Sequence, residues 1–214
     1  MLEQATRLIL IRHGETAWNR ATRIQGHTDI SLSPLGLAQA ERLAQALADE
    51  PLAAIYSSDL SRARQTAEAL ARVQDLPVRL DAGLRERAFG RFEGLSWDEI
   101  TEGYPEESAR WRRREPDFPV GGGESLTVFS ARCLGAARRA AAQHPGESIA
   151  LVAHGGVLDC LYRAATRVAL EAPRSWQLAN ATVNRLLATA EGFTLVGWND
   201  DRHLDGLTAD DVTA

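Results

Sequence analysis

Thr6 to Arg12 reads TRLILIR, a short apolar run closed by His13-Gly14, and predicts a buried strand. Ser33-Pro34 supplies an N-cap with proline at the first helical position. Leu37, Ala40, Leu43, Ala44 and Leu47 follow at helical spacing, predicting an amphipathic helix from Pro34 to about Asp49. A second strand is expected over Ala53 to Ser57 and a second helix from about Asp59 to Val73. Pro77 to Leu80 is a third strand. Ser125 to about Gln143 predicts a long helix. Ser148 to Ala153 is another buried strand, closed by His154-Gly155-Gly156, with a helix following from Val157 to Val168. Thr182 to Ala188 and Phe193 to Trp198 alternate around Glu191-Gly192 as a hairpin would. Strands alternating with helices predict a layered α/β domain, and 214 residues suit one core better than two.

Residues 87–124 break this rhythm. They hold six of the thirteen aromatic residues, three prolines and the run Gly121-Gly122-Gly123. Linkers are poor in aromatics, so the segment reads as an insertion with short helices inside a single domain spanning 1–214. Beyond Asn199 the chain is acidic and polar, and its last residues are predicted to be mobile.

Composition narrows the chemistry. The net charge of −5 argues against a nucleic-acid partner. All 24 basic side chains are arginine, so a Walker-type lysine and Schiff-base catalysis are both excluded. Any bound anion must be held by arginine, histidine or backbone N–H groups, and the planar guanidinium fork suits phosphate. Cys133 and Cys160 form no CxxC pair and are expected as buried free thiols. No apolar run reaches the roughly 18 residues of a membrane span, and Met1 to Gln4 lack a basic leader, so a cytoplasmic location without membrane contact is expected. His27, His144 and His203 stand alone, and no HxH, HExxH or carboxylate cluster points to a metal.

Two strands end alike, LILI-Arg12-His13-Gly14 and ALVA-His154-Gly155-Gly156. Ligands of open α/β sheets sit beyond the carboxyl ends of strands, so neighbouring strands would bring both imidazoles to one crevice. Glycine after each leaves room for a bulky group against the backbone. The helix after His154 would aim its dipole at the same place, favouring an anion. Arg62 and Arg64 lie near the start of the second helix, where a cation is disfavoured. Glu68 explains Arg64 as a surface pair, whereas Arg62 makes sense if an anion compensates it.

The segment Leu10 to Asn19, LIRHGETAWN, resembles the signature of the histidine phosphatase superfamily, which includes cofactor-dependent phosphoglycerate mutases and small-molecule phosphatases. Gln25-Gly26 with Asp29, LSPLG over Leu32–Gly36, SSDLSRARQT over Ser57–Thr66 and VAHGG over Val152–Gly156 follow in the expected order. The resemblance implies a three-layer α/β/α sandwich with a mostly parallel central sheet and the insertion over the active site. It makes His13 the nucleophile that becomes phosphohistidine and Glu86 the proton donor. Arg12, Arg62 and His154, the last protonated, would bind the phosphoryl group, while Asn19, Gln25 and Gly155 line the pocket. No metal or cofactor is implied, and the partner would be a small phosphomonoester, with the protein a monomer or homodimer. Mutases of the family read ERHYG where this chain has Glu86-Arg87-Ala88-Phe89-Gly90, and they carry a lysine that is missing here. Trp111-Arg112-Arg113-Arg114 echoes their paired arginines, so Arg112 and Arg113 are candidate substrate contacts or else a solvated basic helix face beside Glu106 and Glu107. Leu95 to Ile100 and Gly122 to Ser125 look like broad-specificity phosphatases, including the α-ribazole and glucosyl-phosphoglycerate types. Phosphatase is the expected activity, with mutase the alternative and a non-catalytic phospholigand-binding module a distant third.

Overall fold

A computed structural model of the chain describes residues 5–208. The tip of the acidic tail, expected to be mobile, lies outside the described residues. The elements are β1 (Thr6–Arg12), α1 (Ala17–Arg20), α2 (Pro34–Ala46), β2 (Leu52–Ser57), α3 (Ser61–Gln74), β3 (Val78–Leu80), α4 (Trp97–Gly103), α5 (Pro105–Arg112), α6 (Leu126–Ala142), β4 (Ser148–Ala153), α7 (Gly155–Thr166), β5 (Val183–Thr189) and β6 (Gly192–Asp200). The strands form one sheet in the order β3-β2-β4-β1-β5-β6. β1, β2, β3 and β4 run parallel, and the hairpin β5–β6 adds two antiparallel strands at one side.

Alternation along β1 explains the layers. Successive side chains of a strand point to opposite faces. Leu8 and Leu10 enter one core with Phe129, Ala136 and Ala137 of α6 and Val157, Leu158 and Leu161 of α7. Ile9 and Ile11 enter another with Leu43 of α2 and Ala63, Ala67 and Leu70 of α3. All four β1 side chains are at most 1% exposed, and full burial of each contributes about 1.5–3 kcal/mol. Cys133 and Cys160 are buried and unlinked in α6 and α7. Burial pushes the Cys133 thiol far above its usual range, so it stays protonated.

Helix ends differ slightly from the periodicity. α2 stops at Ala46 because the chain turns there, and Gln74 Nε2 ties the turn by donating to the carbonyls of Leu47, Ala48 and Glu50. α7 begins two residues early, at Gly155, with extended His154 as its N-cap. In the 87–124 segment, Phe92, Ile100, Phe118 and Val120 make a small core of their own, beside which Trp111 stacks on Phe92.

The loop leaving β1 lies directly on the start of α2. A Cβ on Gly14 would sit 2.4 Å from the Gly36 carbonyl oxygen, and one on Gly36 would sit 2.0 Å from the Glu15 carbonyl oxygen. Backbone meets backbone at both points, so neither neighbour can swing aside. Gly36→Ala is expected to destabilise the protein by about 1–3 kcal/mol in urea denaturation through this overpacking. Gly103→Ala, where nothing lies within 4 Å, is the control and should shift stability by less than about 0.5 kcal/mol.

Candidate active site

Parallel, in-register pairing of β1 with β4 builds the site. Arg12 pairs with Ala153, so His13 and His154 leave adjacent strands at one level. The His13 amide donates to the Ala153 carbonyl at 3.0 Å, and the two imidazole centroids are 5.1 Å apart. β2 joins on the other side of β4, where the Ser58 amide donates to the Val152 carbonyl. From there the chain turns into α3 and delivers Arg62. Asp29 caps that helix from a distant loop, accepting from the Ser61 amide and hydroxyl, both at 2.7 Å.

His13 is held as one tautomer. Its Nδ1 lies 2.7 Å from the Gly14 carbonyl oxygen. A carbonyl only accepts, so Nδ1 carries the proton and Nε2 keeps its lone pair. Burial, followed by the charges of Arg62 and Arg12, holds the His13 pKa well below its ordinary value. His154 follows the same logic. Burial and the neighbouring charges of Arg62, His13 and Arg12 depress it strongly. Its Nδ1 accepts from Arg62 Nε at 3.2 Å, which leaves Nε2–H to meet Ser58 Oγ at 2.9 Å. His154 is therefore neutral here. With no anion bound, Arg62, fully buried, and Arg12 already occupy the positive side of the pocket.

The arginines differ in how they are held. Arg62 is fully buried and donates to the carbonyls of Thr28 at 3.0 Å and Gly26 at 2.8 Å. Arg12 donates to the Leu178 carbonyl at 2.5 Å, and its buried Nε has no acceptor among the described residues. Burial lowers the Arg12 pKa to about 10, against the opposing pull of Glu86. It remains charged at neutral pH. An unmet, buried N–H on a cation is a costly group that an anion would satisfy.

Glu86 is seated by backbone. Its Oε2 accepts from the Gly156 amide at 3.0 Å and its Oε1 from the Arg87 amide at 2.8 Å. A Cβ on Gly156 would stand 2.2 Å from that carboxylate, which accounts for the second glycine of His154-Gly155-Gly156. The sequence assigns the start of α7 to the anion, whereas in the structure the Gly156 amide belongs to Glu86. Nor is Glu86 paired to its sequence neighbours. Arg85 binds Asp59 through two contacts of 2.7 and 2.5 Å, while Arg87 is buried against the carbonyls of Glu124 and Phe118.

Glu93 organises the floor. It accepts from the amides of His27, Thr28 and Phe89 and from the Thr28 hydroxyl. Burial alone would raise its pKa, but these bonds together outweigh it and keep the carboxylate ionised.

The structure brings Arg12, His13, Asn19, Gln25, Arg62, Glu86 and Gly155 around one cavity of about 240 Å³, with His154 beneath it against Arg62 and His13. Arg112 and Arg113, expected as substrate contacts, are not among the residues that line it. Arg112 lies over the Trp97 ring and donates to Thr101, while Arg113 pairs with Glu115 at 2.8 Å. Nor do they meet Glu106 and Glu107, because the chain turns back at Glu115; Glu107 pairs with Arg91. Arg64 does pair with Glu68, at 3.5 Å. Arg23 and Arg174 were not singled out in the sequence, yet both line the cavity. Arg174 sits in a segment without periodicity, so no local pattern marks it. Ser58, which positions His154, stands inside the SSDLSRARQT motif and could have been read there. Among the described residues, no three His, Cys, Asp or Glu side chains converge as a metal site, and no helix is long and apolar enough to cross a membrane.

Comparison with known proteins agrees with this geometry. Residues 8–201 match the model of the histidine phosphatase superfamily, branch 1. Phosphoglycerate mutase-like protein 4 of Arabidopsis thaliana is 38% identical over 202 residues, covering 92% of this chain and 86% of that protein. The metal-independent phosphoserine phosphatase of the same plant is 36% identical over 207 residues, covering 95% and 85%. A mycobacterial glucosyl-3-phosphoglycerate phosphatase superposes with a TM-score of 0.83 at 32% identity, covering 92% of this chain and all of the other. The chain belongs to the histidine phosphatase superfamily.

Proposed function

We propose that this phosphoric monoester hydrolase works without a metal, through a phosphohistidine on His13, on small phosphomonoesters. The observation that carries the reading is the buried Arg12 Nε–H without an acceptor, beside an imidazole whose Nε2 lone pair is exposed by tautomer. In-line attack by His13 Nε2 forms the N–P bond as the ester P–O bond breaks. Glu86, in its acid form, gives its proton to the departing alcohol oxygen. Arg12 and Arg62 stabilise the charge on the equatorial oxygens. Water then gives a proton to Glu86 while its oxygen attacks phosphorus, releasing phosphate and restoring His13. That Arg112 and Arg113 do not line this cavity favours the phosphatase reading over the mutase one. The named activities of the relatives make phosphoserine and phosphoglycerate esters the first substrates to try.

His154 contributes by changing state. Its Nδ1 accepts from Arg62 now, but an arriving phosphate dianion favours the imidazolium, which could donate to the same oxygen as Arg62 Nε. Binding should therefore take up a proton.

Phosphate release from p-nitrophenyl phosphate and 3-phosphoglycerate should persist in excess EDTA and fall at least about a thousandfold in His13→Ala. Release abolished by EDTA, or unchanged in the variant, would falsify the mechanism. Formation of 2-phosphoglycerate on adding 2,3-bisphosphoglycerate, without release, would make the protein a mutase.

The two depressed imidazoles also set acid stability. Their folded pKa values lie below the unfolded value of about 6.5. Stability is thus fully present above that pH and is lost as pH falls below it, because the unfolded chain binds the protons first. Each histidine contributes a slope of about 1.4 kcal/mol per pH unit. Urea denaturation between about pH 5 and 6.5 should show a combined slope near twice that value, reduced in His154→Asn. A flat profile over the window would refute the neutral pair. Saturating phosphate should flatten the profile.

A further inference from the structure

Past Glu86 the cavity opens into a second compartment of about 470 Å³, and Glu86, Phe89, Gly156 and Arg174 line both. Arg174 therefore stands where the two meet. It is exposed, and it has no hydrogen bond or ion pair among the described residues. Its charge acts on Arg12: after burial and the opposing pull of Glu86, Arg174 is the next influence on that guanidinium and lowers its pKa, ahead of Arg62. Like charges facing one cavity repel, and an anion between them removes the repulsion. The two deeper arginines are also partly committed. Arg62 uses Nε on His154, Nη1 on Thr28 and Nη2 on Gly26, and Arg12 uses Nη1 on Leu178. Arg174 is free to turn its whole fork to a ligand.

Residues 169–178, which carry Arg174, contain neither helix nor strand, so side-chain tethers set their place. One foot of this strap is held at two carbonyls. Ala169 accepts from Arg163 Nη1 at 2.5 Å and Leu170 from Arg114 Nε at 2.8 Å. At the other foot Trp176 stacks on Tyr162 with ring centroids 4.0 Å apart. The carbonyls of Gln177 and Leu178 accept from Trp198 Nε1 at 2.8 Å and Arg12 Nη1 at 2.5 Å. Arg163 also lies 4.8 Å from the Trp176 ring centroid, so one guanidinium touches both feet. Behind it stands Asp159 of α7, whose Oδ2 accepts from Arg163 Nε at 2.9 Å and from Arg114 Nη2 at 3.2 Å. Asp159 and Arg163 are both buried. A buried ion pair adds little net stability over apolar packing, but here it fixes direction. One carboxylate aims both of the arginines that hold the first foot.

We infer that the strap delivers Arg174 to the transferring phosphoryl group as a third guanidinium beside Arg12 and Arg62, and that Asp159 is the positioning residue that holds the strap there through Arg163 and Arg114. The inference rests on the proposed phosphatase reaction and adds a group to it. Arg174 donates to a non-bridging oxygen on the side of Glu86, where the ester bond breaks. A planar fork with no other contact can follow that oxygen as phosphorus moves from the ester oxygen to His13 Nε2. An exposed arginine does this only while it is kept over the cavity, and the two feet of the strap keep it there.

p-Nitrophenyl phosphate isolates the phosphoryl group, because its alcohol half carries no carboxylate. On it, Arg174→Ala should lower kcat/KM about tenfold or more and weaken inhibition by orthovanadate by a similar factor. The loss should persist in about 1 M NaCl, where the screening length is about 3 Å and long-range steering is gone. Asp159→Asn should lower kcat/KM too, and the double variant should be no slower than Arg174→Ala alone, because Asp159 acts through Arg174. A merely structural role would multiply the two losses. A wild type active on p-nitrophenyl phosphate whose Arg174→Ala variant is equally active overturns this inference and spares the phosphatase reading. So does a loss that vanishes in salt, or one confined to 3-phosphoglycerate, which would put Arg174 on the alcohol half. Unchanged activity in Asp159→Asn, or losses that multiply, overturns the role of Asp159. A wild type that releases phosphate from neither ester overturns the phosphatase reading itself. Should Asp159→Asn fail to fold, Trp176→Leu, which frees the other foot, takes its place in the same cycle.

Discussion

Arg62 is held out of water and Arg12 partly so, beside two buried imidazoles, and the rest of the molecule is arranged to tolerate that. Removing a guanidinium from water is expensive unless its N–H groups are satisfied. Arg62 is satisfied by two loop carbonyls, those of Gly26 and Thr28. Arg12 is satisfied only in part. The imidazoles respond by staying neutral, and Glu86 and Glu93 supply opposing charge. None of this would hold if β1 and β4 slipped in register, because a one-residue shift turns a strand's side chains to the opposite face. The apolar alternation Leu8-Ile9-Leu10-Ile11 against two separate cores is what prevents the slip.

Much of this is legible in the sequence because the relevant signals are local. A strand ended by His-Gly, a helix started by Ser-Pro and a glycine pair after a second histidine each record a steric or capping demand on neighbouring residues. Gly14, Gly36 and Gly156 turn out to be places where a Cβ would strike backbone or carboxylate. The parts that misled were those set by the path of the chain. Arg112 and Arg113 looked like substrate contacts from their charge, yet the turn after α5 leaves them outside and brings the next arginine, Arg114, inward at a left-handed φ of 53°. Arg174 was invisible because irregular segments carry no period. The neutrality of His154 depends on how many cations share its burial, which only the folded arrangement shows.

The likeness to enzymes named as mutases and as phosphatases is itself informative. The phosphoryl end is built from β1, β4 and α3, and its motifs run through nearly the whole chain. The neighbouring compartment is walled by Trp111, Arg114, Arg174 and residues of α7.

Glu93 and Glu124 lie near the two ends of the 87–124 segment. Glu93 clasps the 27–28 loop, and Glu124 accepts from the Ala88 amide and from Arg132 at 2.6 Å. Between them α4 and α5 fold around a core of their own. The stretch behaves as a cassette on two fixed posts. Residues from about 97 to 116 could be rewritten, in natural divergence or by a designer, without disturbing the loop that satisfies Arg62. New leaving-group preferences would then be open to the scaffold, provided both posts are kept.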